Sequence, residues 1–283
     1  METNAVRIGE KWLTFLQDGP ECSLAVRRKL ALTGGSLRVH SVFSKVVNFS
    51  AGKELLSVAS IDAGGASSFL SLPGENVDLG LAVGDKCVLR AGRLILGENT
   101  INFSNAPVWK GPISKGYRRL IIEENITAFK AVLDRKAAPQ SAWRYINSGL
   151  TSRFDGLRAI QKLKENPAEA RNLIGLGQGL TPAGDDMLVG FLAIVNHTGE
   201  NREFVRILNG VITGLLPKTT EISAQVLANA LDCDYHELVQ NCIRDLCEGK
   251  KEEVYVSAAS LLNIGATSGS DIACGMYYGM IDK

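Results

Sequence analysis

The sequence predicts an α+β protein: an N-terminal antiparallel β-barrel or sandwich-like domain over residues 1–115, then a C-terminal all-helical domain over residues 118–283. Three observations predict it. The repeat of apolar residues changes from about 2 to about 3.6 near position 115, where strands give way to helices. The length of 283 residues suits two domains at the usual prior of about 150 residues each. Hydrophobic residues at 45% against charged residues at 22% provide the cores.

The elements follow in order. A short amphipathic segment runs from near Val6 to Gln17. Runs rich in Val, Leu, Phe and Ser come next: "SLAVRRKLALT", "LRVHSVFSKVVNFS", "ELLSVASI", "SSFLSL", "KCVLRAGRLILG" and "TINFS". Gly-Gly, Gly-Lys, Pro-Gly and Gly-Asp pairs separate them, so the runs read as strands bounded by turns. "GPISKGY", Gly111 to Tyr117, reads as the interdomain linker. Beyond it, "EENITAFKAVLDR", "FDGLRAIQKLKEN", "NREFVRILNGVITGLL", "EISAQVLANAL", "YHELVQNCIRDLCEG" and "EEVYVSAASLLN" place apolar residues on one helical face. Met187 to Val195 is apolar on more than one face. That predicts a buried helix with surface left for a further chain, hence an oligomer.

Composition excludes several functions. A formal net charge of +1 gives no electrostatic reason to expect nucleic acid or an anionic membrane as partner. The opening "METNAVRIGEKWLTF" lacks the basic-then-apolar order of a signal peptide. The longest apolar run falls well short of the about 20 residues that span a bilayer. Cys22, Cys87, Cys233, Cys242, Cys247 and Cys274 lack CxxC spacing and read as buried or free thiols of a reducing compartment. A cytoplasmic protein is expected. His40, His197 and His236 show neither HxH nor HExxH spacing, so no zinc site is expected. His40, with Ser41, Ser44 and Asn48 nearby, is open as a general base or as a packed strand histidine. No GxSxG nucleophile motif occurs, and "TSGSD" is only loosely related to one. Arg27, Arg28 and Lys29 read as a solvated face.

An internal repeat singles out the chemistry. "IGLGQGLTPAGDDMLVG" (174–190) and "IGATSGSDIACG" (264–275) both open on Ile-Gly and carry a Thr. Each places a Gly two residues before an Asp and another four residues after it: Thr181, Gly184, Asp186 and Gly190, then Thr267, Gly269, Asp271 and Gly275. The layout predicts two loop-to-helix junctions facing each other. Asp186 and Asp271 suit the positive end of a helix dipole and are expected to cap their helices. Glycines ahead of them let backbone amides converge on phosphate or carboxylate.

The anion-binding candidates are therefore Gly175, Gly177, Gly179, Thr181, Gly184, Thr267, Ser268, Gly269 and Asp271. Asp185 and Asp186 are the catalytic candidates, with Asp185 expected to orient the substrate or a metal-bound water. The plain alternative is two capped turns that bind nothing. The aspartate pair also admits Mg²⁺ held by one carboxylate and a substrate oxygen; a cap beside a solvated or arginine-paired carboxylate is the other reading. Neither loop carries the lysine of a nucleotide-triphosphate loop, and no strand precedes them, so ATP and NAD are disfavoured. Thr219, Thr220 and Ser223 in "PKTTEISAQVL" read first as an N-cap with Glu221 in the opening turn, and otherwise as ligand-facing hydroxyls.

At "GLGQGLTPAGDDMLVGFLA" the chain resembles a bacterial family, first catalogued without a known function, that contains the small subunit of oxamate carbamoyltransferase from anaerobic allantoin catabolism. "HSVFSKVVNF" resembles its N-terminal region, and "TTEISAQVLANAL" and "IGATSGSDIACG" follow in the family's order. The family pattern has proline at Gln178 and a small hydroxyl residue at Ala183; the second departure argues against a hydroxyl role there. The resemblance implies a multi-subunit transferase of purine degradation that handles oxalurate, oxamate, phosphate and carbamoyl phosphate, with larger subunits as partners. All four ligands are small anions. The function expected is a subunit that binds substrate or phosphate through the 175–186 and 265–271 loops. Preorganised amides there would stabilise the charge of phosphorolysis at an N-carbamoyl group. A non-catalytic scaffold or regulatory subunit stays open, as does a free-standing acyl- or carboxyl-transfer enzyme on another small acid.

Overall fold

The computed structural model describes residues 2–15, 35–52, 54–90, 92–114, 116–149, 155–198 and 202–281. "SLAVRRKLALT", with Arg27, Arg28 and Lys29, lies outside the described residues, as does Cys22. The chain forms two compact units, Met1–Gly111 and Pro112–Lys283.

In the first unit β1 (Glu2–Asn4), β2 (Arg7–Ile8), β3 (Gly35–Val42), β4 (Val46–Ala51) and β5 (Glu54–Ser60) join β6 (Phe69–Leu72), β7 (Lys86–Arg90), β8 (Arg93–Leu96) and β9 (Asn99–Asn102). They form one sheet in the order β1-β9-β8-β7-β3-β4-β5-β6-β2. The alternation is plain in β4, where Val47, Phe49 and Ala51 are buried between half-buried Val46, Asn48 and Ser50. The sheet is mixed, a correction to the antiparallel expectation: β1 pairs parallel with β9, and β5 parallel with β6.

The N-terminal segment explains the curl. Only Ala5 and Val6 separate β1 from β2, yet the two strands occupy opposite edges. Ala5 N donates to Asn102 O and Val6 N to Ser71 O, so one short stretch is bound on both sides and draws the edges together. A curled sheet bound in this way leaves few strand groups open to edge-to-edge pairing. The amphipathic segment expected from Val6 to Gln17 is therefore part strand, and helix α1 takes up Glu10–Phe15 of its described residues. Trp12 is fully buried, its Nε1 donating to the Ser57 and Ser68 carbonyls.

The second unit holds α2 (Glu123–Lys136), α3 (Ala142–Asn147), α4 (Ala170–Leu173), α5 (Ala183–Thr198) and α6 (Arg202–Leu215). It continues with α7 (Glu221–Leu231), α8 (Glu237–Glu248), α9 (Lys251–Leu261) and α10 (Ser268–Met280). The helix expected at "FDGLRAIQKLKEN" is instead a run of 3-10 turns, Asp155–Lys162. These turns keep Leu157 and Ile160 in the core while Gly156 fits under Leu176, where a methyl group would lie 2.7 Å from Cδ2.

Helix α5 is the centre of the unit, buried at every residue from Gly184 to His197. A helix apolar all round belongs in a core, and its own unit covers it. The surplus that suggested a further chain is thus taken up internally. Helix α10 crosses it backbone to backbone. A methyl group on Gly190 would lie 1.9 Å from the Ile272 carbonyl oxygen, and one on Gly275 would lie 1.9 Å from that of Met187. The relation is reciprocal between the two copies of the repeat. It recurs one step earlier: a methyl on Gly184 would meet the Leu173 oxygen at the end of α4, and one on Gly269 the Leu261 oxygen at the end of α9, each at 2.0 Å.

Candidate functional site

The two loops meet at their hydroxyls. Thr181 Oγ1 lies 2.9 Å from Ser268 Oγ. Helices α5 and α10 therefore begin at the same end of their crossing, and their positive dipole ends fall together. The first loop winds back over its own helix. Gly184 N donates to Leu176 O at 2.8 Å, and Gly177, with φ of 139°, sits where a methyl group would be 2.5 Å from Ala183 N. Gln178, Gly179 and Leu180 are exposed at the tip, whereas Thr181, Thr267 and Ser268 are half-buried. Among the described residues, the amides of Gly177, Gln178 and Gly179 donate to no protein acceptor.

The aspartates are buried beneath. Asp185 and Asp186 are the third and fourth residues of α5, and Asp271 is the fourth of α10. Asp185 Oδ1 accepts from Gly175 N at 2.8 Å, and its Oδ2 accepts from the Thr219 hydroxyl. Asp271 Oδ1 accepts from Ala142 N at 2.6 Å, the first residue of α3. Neither carboxyl caps its own helix, contrary to the expectation for Asp271; they clamp neighbouring segments instead. Position explains this for Asp271, the fourth residue, whose own amide already donates to Thr267 O and which lies past the free amides of the first turn. Asp186 does not cap α5 either: the Ser268 and Thr181 hydroxyls act on it from nearby while bonding to each other, and its Oδ2 has no partner among the described residues; Asp271 Oδ2 has none either.

No Lys, Arg or His among the described residues pairs with these carboxyls. Burial accordingly dominates their protonation. It lifts Asp186 well above the ordinary carboxylate range, with Asp271 and Asp185 adding to the rise and the Ser268 and Thr181 hydroxyls opposing it. Asp271 is pushed up to about 7 by burial, against the Ala142 amide and the Thr267 hydroxyl. Asp185 is raised by burial and pulled back by Thr219, Gly175 and Ser223. Ser223 Oγ acts on Asp185 only through space, because it makes no hydrogen bond by distance and angle.

Thr220 fills the N-cap role read from "PKTTEISAQVL": its Oγ1 accepts from Ser223 N at 3.1 Å, and its hydroxyl donates to Leu180 O. Thr219 turns to Asp185. Gly175 is held close to Lys218, whose oxygen would lie 2.8 Å from a methyl group there. Sequence reasoning missed the 138–142 segment, whose Ala138 N donates to Ser270 Oγ at 2.9 Å and whose Ala142 N meets Asp271. Ordinary alanine amides carry no sequence signal of such a role.

The histidines take other positions. His40 occupies a bulge in β3, its Nδ1 3.2 Å from Ser41 Oγ. Buried His197 donates from Nδ1 to Ala193 O at 2.8 Å, and burial lowers its pKa. His236 caps α8 by accepting from Leu238 N. Cys87, Cys233, Cys242, Cys247 and Cys274 are free thiols. Burial pushes Cys87 and Cys247 up to about 11 and Cys242 to about 12, which makes them poor nucleophiles at neutral pH. Among the described residues no three His, Cys, Asp or Glu side chains gather as a metal site would need. No described helix is long and apolar enough to cross a membrane.

The features so far define an α+β chain whose helical unit is built on a duplicated glycine–aspartate junction. Residues 4–108 match the AllH family N-terminal domain, and residues 173–280 match the oxamate carbamoyltransferase subunit AllH. The second match begins at Leu173 and ends at Met280, so it spans both junctions. Together the two matches take in more than half of the chain, and the protein belongs to the AllH family of oxamate carbamoyltransferase subunits. No curated protein and no solved structure matches it.

Proposed function

We propose that this chain is a subunit of a cytoplasmic carbamoyl-transferring complex and binds a small anionic substrate or phosphate where α5 and α10 begin. The observation that carries the reading is the Thr181–Ser268 contact, which brings two helix N-termini together beside the undonated amides of Gly177 to Gly179. In phosphorolysis of an N-carbamoyl acid, a phosphate oxygen bonds to the carbamoyl carbon as the carbon–nitrogen bond breaks. The leaving nitrogen takes up a proton, and carbamoyl phosphate and the amide acid result. The negative charge that collects on the carbamoyl oxygen is what fixed amides and converging dipoles stabilise. Gly177 and Gly179 supply backbone approach, Thr181, Thr267 and Ser268 the hydroxyls, and Gly175, Gly184 and Gly269 the close packing that holds the loops. Asp185 is a positioning residue that ties Gly175 to Thr219. Mg²⁺ would reach the site only through one carboxylate and the substrate.

Exposed Leu180 at the loop tip favours a second reading, in which the same loop contacts a larger subunit as a scaffold. Thermal unfolding in oxamate, phosphate and carbamoyl phosphate tests the first, because a ligand of the folded state raises its stability. Stabilisation by at least one of them is expected, and none by any would refute the anion site. Co-purification with larger subunits that persists in a Leu180→Asp variant argues against the scaffold contact.

A further inference from the structure

The two copies of the repeat differ at one carboxyl. Asp271 also leaves its Oδ2 unpartnered among the described residues, but its Oδ1 is fixed by the Ala142 amide, and Asp185 has a partner on each oxygen. Asp186 is 4% exposed, lies beside the paired Thr181 and Ser268 hydroxyls, and keeps Oδ2 without a partner among the described residues. A buried polar atom left unpaired costs about 1–3 kcal/mol, so its persistence calls for a partner from elsewhere. Its position, one turn inside α5 and against the Thr181–Ser268 pair, puts that partner at the junction of the loops.

Resting on the anion-site reading above, we propose that Asp186 is the ligand-recognising side chain: its carboxylic O–H donates a hydrogen bond to an oxygen of a small carboxylate or phosphate seated between the 177–181 and 265–268 loops. The surroundings fit a donor. The charged groups that act on Asp186 are Asp185 on its own helix and Asp271 on the crossing helix, both acidic, and the other neighbours are the Ser268 and Thr181 hydroxyls. Two acidic neighbours and burial favour the uncharged form, which an anion can approach without repulsion. A cation would face two helix N-termini and is disfavoured there. Binding then requires the proton, and affinity falls as rising pH removes it.

Asparagine keeps a donor at this position without titrating, whereas alanine keeps none. Calorimetric titration of the full chain with oxamate, sulfate and inorganic phosphate separates the outcomes, with thermal unfolding as the check on folding. Oxamate and sulfate hold their charge over about pH 6 to 9, so any pH dependence belongs to the protein. Tighter binding of oxamate than of phosphate identifies a carboxylate site, and the reverse a phosphate site. The expected result is wild-type affinity that falls with pH. Asp186→Asn should stay within about threefold of wild type at neutral pH, with a shallower fall with pH that leaves only the Asp271 share, and Asp186→Ala should lose about ten- to a hundredfold. Should the alanine variant fail to fold, the asparagine variant and the wild-type profile decide. A flat wild-type profile, or an asparagine variant that cannot bind, overturns the role of Asp186 and leaves the anion site standing. No binding of any of the three anions to wild type overturns both.

Discussion

At the scale of single residues, three aspartates in similar sequence settings have three different fates. Asp185 should act through structure: Asp185→Ala strands the Gly175 amide and the Thr219 hydroxyl, and chemical denaturation should show a loss of about 2–4 kcal/mol. Asp185→Asn retains an acceptor and should lose about 1 kcal/mol. Equal stability of wild type and alanine variant would refute the clamp. Asp271 makes a pH prediction. Its folded-state value of about 7 lies above the ordinary 3.8, so the folded protein binds this proton more tightly than the unfolded chain. Stability from this group is therefore greatest at acid pH, declines as pH rises from about 4 to about 7, and is level beyond that. At about 1.4 kcal/mol per unit the decline amounts to about 4 kcal/mol, and Asp271→Asn should flatten the stability profile by that share. An unchanged profile would contradict the buried assignment. The repeat was legible in the sequence and pointed to these residues. Their division of labour was not, because it depends on Thr219 and Ala142, brought in from distant parts of the chain.

At the scale of elements, the glycines of the repeat divide into two uses. Gly190 and Gly275 let α5 and α10 touch backbone to backbone, so alanine at either should cost about 3 kcal/mol or prevent folding. Gly210, inside α6, has open space around an added methyl group, and Gly210→Ala should instead stabilise by about 0.5–1 kcal/mol. Equal effects at Gly190 and Gly210, read from unfolding curves, would show that the crossing is not as close as described. Helical period located α2, α6, α7, α8 and α9 because each shows apolar residues at helical spacing, and α5 stood out as a run apolar on more than one face. It failed at Asp155–Lys162, where tight packing of Gly156 beneath Leu176 accompanies 3-10 turns. Strand pattern found β3 to β9 but neither β1 and β2 nor the curl, which depends on Ala5 and Val6 bonding to two different edges.

At the scale of the whole molecule, each unit has its own core, one around Phe49, Val58 and Leu94 and the other around α5. Limited proteolysis should cut between about residue 111 and residue 118 and leave a helical fragment, as judged by mass and circular dichroism. A first cut inside α5 would contradict this. The family gives the chain its place in a carbamoyltransferase complex, and the joined helix N-termini give a reason for a small anion to bind it. The most direct test is an amide NMR titration of the isotope-labelled chain with oxamate and phosphate. The account predicts that the Gly177, Gln178 and Gly179 amides shift first and furthest, together with Ser268, while those of the β unit stay in place. Saturating shifts confined to other residues, or none at all, would contradict it.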